Sequence, residues 1–409
     1  MPALPRNLTG GKANDQLLYF TSSSLTADDR HLVFISDRDS PVPKAADPLA
    51  QVNLYALDRR DGSVRRLTDN TEGYLRSYVY FEGLRHRGLG MASVSLHAES
   101  GDVYYLQGDM LCRVNARTGD RRRLTAVPSG HVTGFTHVSA DNRRVCVPTI
   151  HESAFDIADP HRIDDNVQRL GLPSFLRIYD TVTGEQVEEV VVPSAWVTHV
   201  QFHPRDPQKV LFNHEWASDC GIRRIWLWDG STLRRMRDEG TNLDGSLRRR
   251  ADWVCHEVWS PDGEWIVYHG GHDGGASYVG RMAADGTRHE ELEFPPGFNR
   301  YGHFTLGNGP GLLVSDGYAE CTPEQAAALP AIGGGSGWGG HWLSTLEVDW
   351  ERRTIRWNPI CRHGSSWNSQ DAHPHPVFNH AGDEVLFTSD GGGLRSIYAI
   401  NAATGAGPG

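Results

Sequence analysis

One short unit recurs seven times along the chain, and it restricts the fold more than any other feature of the sequence. The clearest copy is Val258-Trp259-Ser260-Pro261-Asp262-Gly263-Glu264-Trp265-Ile266-Val267-Tyr268: apolar residues, a tight polar turn, then a β-rich run. Other copies begin at Ser24, Val94, His137, Gln201, His303 (degenerate) and Pro376, about 45–70 residues apart. Several are followed by a second hairpin, as in Leu54–Leu67 around Asp61-Gly62 and Ile225–Leu233 around Asp229-Gly230. Strand, Asp-Gly turn, strand at this spacing is how four-stranded propeller blades read. A pair of sandwiches gives no reason to repeat one hairpin seven times. The expectation is an all-β, seven-bladed β-propeller forming a single domain over residues 1–401, with 402–409 as a disordered tail.

Three stretches interrupt the repeat: 40–51, rich in proline; 151–174, with helical character around Asp164–Leu170; and 319–342, which runs into a Gly/Trp segment. Long insertions in a compact fold are often functional, and these are placed to rim or cover the channel mouth. Across 409 residues the net charge is −11, which argues against nucleic acid or an acidic membrane surface as partner while leaving room for a small acidic substrate. Six dispersed cysteines without a CxxC pair read as buried free thiols. The N-terminus carries no apolar signal-like region and no run approaches a membrane span, so a cytoplasmic protein is expected.

Propeller inner strands converge on a central channel, so polar residues at their starts can meet. Histidines stand there in successive blades: His137, His199, His256, His303, and the pair in Gln370-Asp371-Ala372-His373-Pro374-His375-Pro376. Residues two apart in extended chain face one way, and each proline favours extended backbone for the histidine before it. Alone, His373-x-His375 reads equally well as a turn with two surface histidines. With His303 and Gln370 it becomes three imidazoles and an amide oxygen, a thiolate-free set suited to manganese or a similar divalent ion.

These segments, with Asn213-His214-Glu215, Arg223-Arg224-Ile225-Trp226-Leu227, His256-Glu257 and Leu386-Phe387-Thr388-Ser389-Asp390, resemble oligogalacturonate lyase of polysaccharide lyase family 22, most strongly over 210–400. The resemblance implies a manganese-dependent, pectin-degrading enzyme that splits short uronate oligosaccharides by β-elimination. It implies His303, Gln370, His373 and His375 as metal ligands and His256 as the favoured base. Arg224 is then either an electrostatic partner or the base itself. His214 and Glu215 read either as substrate-side groups or as part of a blade hydrogen-bond network. The open alternatives are a non-catalytic sugar- or protein-binding propeller, a hydrolase using the same metal, and a lyase for another uronate oligomer. A peptidase is excluded: the nearest approach to G-x-S-x-G, Gly334-Gly335-Ser336-Gly337-Trp338, lacks the last glycine.

Overall fold

The computed structural model describes residues 4–402 apart from 41–51, 71–79, 82–83, 86–92, 157–162, 216–223, 238–251, 273–275, 296–297, 299–301, 310, 319–323, 325–328, 330, 333–341 and 369. Its strands form seven antiparallel sheets of four or five strands, the blades of a β-propeller, and a separate two-stranded ribbon, Tyr80–Phe81 with Leu84–Arg85. Blade 5 shows the plan: Asp252–Trp259, Trp265–His272, Ser277–Ala283 and His289–Glu293 pair in sequence order. First strands of neighbouring blades touch, so they are the inner ones. All seven copies of the repeat fall on the hairpin between the first and second strands of a blade.

The turn chemistry explains the repeat. In blade 5 Ser260 donates to Asp262, Asp262 accepts from the Glu264 N–H, and Ser260 Oγ accepts from the Trp265 N–H. Thr26 with Asp28 in blade 1 and Ser139 with Asp141 in blade 3 make the same local bonds. Such side chains satisfy turn backbone that no neighbouring strand reaches. The next residue is left-handed each time: Asp29 (φ 53°), Asn142 (φ 57°) and Gly263 (φ 74°). Asp, Asn and Gly tolerate that region best. At Gly263 a Cβ would come within 2.4 Å of the His203 ring, so glycine is also required by packing.

The ring closes between the chain's two ends. Arg6–Asn7 supplies the outer strand of blade 7, pairing with Ser396–Asn401, before Asp15–Gln16 starts blade 1. Leu17, Leu25 and Phe34 pack there against Val377, Leu386 and Ile397, all buried. Similar apolar clusters fill the other interfaces between blades. Burying such surface contributes about 25 cal/mol per Å².

Of the three insertions, 151–174 contains a 3-10 turn, Glu152–Phe155, and a helix, Ile163–Leu170, seated by Ile163 and Val167 on Val132, Ile150 and Trp196. The segments 41–51 and 403–409, and most of 319–341, lie outside the described residues. Cys112, Cys146, Cys255 and Cys361 are buried free thiols; Cys220 and Cys321 fall outside. No helix among the described residues is long and apolar enough to cross a membrane.

Candidate metal centre and active site

The inner strands of blades 4 and 5 are not regular. Their ladders slip between Thr198 and Gln201 and between Cys255 and Val258. His199 and His256 open these slips in left-handed backbone, at φ 52° and 56°. A bulge turns a side chain away from its regular direction, and non-glycine residues hold such a φ only when their surroundings enforce it. In blade 7 His375 takes φ 45° between two prolines, just ahead of Val377–Phe378. His303 directly precedes Phe304–Leu306 of blade 6. Four successive blades thus aim imidazoles at one place.

The rings meet closely. His303 lies 3.9 Å from His375, 5.1 Å from His373 and 4.5 Å from His256, centroid to centroid. One nitrogen from each of His303, His373 and His375 falls within 4.8 Å of the others, and all three residues are buried. Tyr19 and Phe20, from the segment after Gln16, press on this group: Tyr19 against His375 (5.2 Å) and Phe20 edge-on to His256 (5.2 Å). Trp367 packs on His373 at 4.3 Å.

Asp316 organises the cluster. Fully buried, it accepts from the His303 N–H (2.6 Å), from His303 Nδ1–H (3.0 Å) and from the His375 N–H (3.2 Å). Burial pushes its carboxyl up, yet His303 beside it, with His363 and His373, holds it below the usual carboxylate range. A carboxylate can only accept, so His303 donates from Nδ1 and turns Nε2 away from Asp316. His375 Nδ1 donates to the His373 carbonyl (3.2 Å), and its buried Nε2 has no hydrogen-bond partner among the described residues. Burial, followed by the facing imidazoles, pushes His375 and His256 far below the ordinary histidine range. Three imidazole nitrogens gathered this closely, with no thiolate among them, are the kind of donor set a divalent cation takes. The residues present therefore fit a metal. Gln370 opens the 3-10 turn Gln370–Ala372; its side chain lies outside the described residues.

Around this centre stand the remaining candidates. His256 Nδ1 is 2.7 Å from His269 Nε2. Arg224 is buried, 3.6 Å from Glu215, and its charge bears on His256, His269 and Glu257. Glu215 also accepts from the Thr198 hydroxyl, within the hydrogen-bonded wall of blade 4. His214 stacks on Trp226 (4.8 Å), with neither ring nitrogen hydrogen-bonded among the described residues, and burial pushes its pKa down to about 4. His199 is held by Tyr19 (2.9 Å), Asn213 (2.6 Å) and Glu257 (3.4 Å). His137 is the exception to the expected run. It bonds the Thr21 carbonyl and the Phe202 N–H and lines a separate cavity of about 470 Å³ with Val138, Ser139 and Phe202. Its strand, His137–Val138, begins lower in the blade than the bulges at His199 and His256.

Sequence reasoning did not find Asp316, His269 or the Tyr19–Phe20 pair. For Asp316 a signal exists: Ser36-Asp37, Ser315-Asp316 and Ser389-Asp390 each end the second strand of a blade. Asp37 takes both the N–H and the side-chain amide of Asn14, and Asp390 takes both the N–H and the hydroxyl of Ser366. Blade 6 makes the same two-pronged bond with His303 in place of Asn or Ser. A structural device of the repeat has become a histidine orienter.

A propeller with a buried three-histidine centre at the meeting of its inner strands is the class that fold and site define. No family model matches the chain. It is 24% identical over 361 residues to the oligogalacturonide lyase of Pectobacterium atrosepticum, covering 85% of this chain and 82% of that protein. It is 22% identical over 392 residues to the oligogalacturonate lyase of Dickeya dadantii, covering 93% and 88%. The structure of an oligogalacturonate lyase in complex with manganese superposes with a TM-score of 0.71 at 20% identity, covering 97% of this chain and 92% of the other. The resemblance read from the motifs therefore extends over most of the chain, in sequence to the oligogalacturonate lyases and in fold to their propeller.

Proposed function

We propose that the protein is a carbon–oxygen lyase that takes short oligogalacturonates, binds a divalent metal of the manganese kind through His303, His373, His375 and Gln370, and cleaves by β-elimination. The observation that carries this reading is the convergence of three ligand-ready imidazoles with a fourth, His256, at 4.5 Å from His303. The similarity to oligogalacturonate lyases over most of the chain supports it.

A divalent ion held there would neutralise a uronate carboxylate and make the adjacent C5–H more acidic. The chain's own residues do the rest. His256, unprotonated in its buried bulge, accepts the C5 proton. The electrons of that bond become the C4–C5 double bond as the C4–O bond breaks, and the departing oxygen takes a proton from water. Arg224 acts as a fixed positive charge: a guanidinium stays protonated and its charge favours an anionic substrate. Tyr19, Phe20 and Trp367 restrict water around the reacting groups, which strengthens each charge interaction.

Mass spectrometry of the products from a short oligogalacturonate tests the reaction type. Elimination yields one fragment lighter by one water than hydrolysis gives. Two fully hydrated fragments would replace this reading with hydrolysis, and uncut substrate would replace it with sugar binding alone.

A further inference from the structure

His269 lies directly behind His256. It stands on Trp265–His272, the second strand of blade 5, opposite Cys255 in the ladder, and its ring stacks on His256 at 5.0 Å and 27°. Phe304 of blade 6 presses edge-on against it at 5.5 Å. The 2.7 Å contact between His256 Nδ1 and His269 Nε2 is a hydrogen bond, in which one nitrogen must donate and the other accept. Burial, with His303 next in weight, pushes His269 down to about 3, so it stays neutral throughout the working range of an enzyme. A slip in the inner strand sends His256 to the centre, and the regular neighbouring strand holds His269 against its rear nitrogen.

We propose that His269 is a positioning residue for His256, accepting the Nδ1–H of His256 at its own Nε2 so that the bare Nε2 of His256 faces the substrate. The inference rests on the reading of His256 as the base. With His269 as acceptor, the imidazole is fixed in orientation and in tautomer, and the proton it takes arrives at Nε2 while the rear hydrogen bond persists. Without that acceptor, the tautomer with the proton on Nδ1 loses the hydrogen bond that favours it. This is the logic by which an orienting group serves a catalytic histidine, with a neutral imidazole in the place usually taken by a carboxylate.

The test compares His269→Phe, which keeps a flat buried ring without an acceptor, with His269→Gln, whose Oε1 reaches the position of Nε2. With a short oligogalacturonate, His269→Phe should lower kcat by about 100-fold, with KM changed by less than about threefold, and His269→Gln should recover most of the loss. In a His256→Ala background His269→Phe should lower the residual rate no further. A purely structural His269 would instead lower thermal stability in both variants and leave kcat alone. Nitrogen-15 spectra of histidine-labelled wild-type protein give an answer even if a variant does not fold: His256 should show a protonated Nδ1 and a bare Nε2. The opposite tautomer, an unchanged kcat in His269→Phe, or a His269→Gln no better than His269→Phe overturns the proposal. If His256→Ala retains turnover, the base assignment falls; if it is inactive while His269→Phe is fully active, only the positioning role falls.

Discussion

Replacing Asp316 by asparagine probes the cluster at its most connected point. The carboxylate accepts three hydrogen bonds at once: the His303 N–H, the His303 Nδ1–H and the His375 N–H. Asparagine has one acceptor oxygen. If that oxygen keeps the His303 backbone, as Oδ1 does now, the amide NH2 faces His303 Nδ1 and the His375 N–H. His303 then either leaves a buried donor against a donor or moves its proton to Nε2, where no metal can bind. A buried donor without a partner costs about 1–3 kcal/mol. Because restoring the metal-binding tautomer requires that mismatch, manganese affinity should fall by roughly 5- to 150-fold. Titration calorimetry reads the affinity directly. Asp37→Asn is the control, since Asp37 makes the same two-pronged bond to Asn14 in blade 1 without a histidine. It should lower the thermal midpoint and leave metal affinity unchanged. If Asp316→Asn binds manganese within about twofold of the parent protein, the tautomer argument is wrong.

Three further outcomes follow from the same geometry. Metal analysis after dialysis against manganese should find a single ion per chain, and His375→Ala, which removes a buried Nε2 without a hydrogen-bond partner among the described residues, should find none; an unchanged stoichiometry would place the ion elsewhere. His256→Ala should lose at least about 100-fold in kcat while keeping its metal, whereas retained turnover shifts the base role to Arg224. His214, pushed down to about 4 by burial, binds its proton more readily in the unfolded chain, where its pKa is near 6.5. Stability is therefore complete above that value and falls as pH drops below about 6.5 and on towards 4, by about 1.4 kcal/mol per pH unit for this one group. His214→Phe should flatten the pH dependence of unfolding by that amount, and an unaltered slope would show that His214 does not titrate on unfolding.

The seven blades were legible because turn chemistry is local. Ser260 with Asp262, or Thr26 with Asp28, satisfies its own turn within a few residues, so the need recurs in sequence as a pattern. The ring closure through Arg6–Asn7 was not legible, since a two-residue strand with no apolar alternation is set only by its partner at 398–399. His303, His373 and His375 could be picked out because they stand at the starts of neighbouring inner strands, where the closed ring brings side chains together. His137 shared the pattern and fell elsewhere, because its placement depends on how far down the blade its two-residue strand begins. Asp316 directly follows the second strand of blade 6 and His269 lies on that of blade 5, and the only local mark is the Ser-Asp found where the second strand ends in three blades. Tyr19 and Phe20 read as ordinary apolar residues, and only the closed ring brings them against the histidines.

The central claim is that this propeller cleaves uronate oligomers by elimination at its three-histidine centre with a bound metal. Ultraviolet absorbance of the unsaturated uronate, followed continuously with a short oligogalacturonate, tests it most directly. Protein stripped by a chelator should give a flat trace that rises when manganese is added. A trace that rises equally in the stripped protein, or one that stays flat after manganese while the substrate is bound, would contradict it.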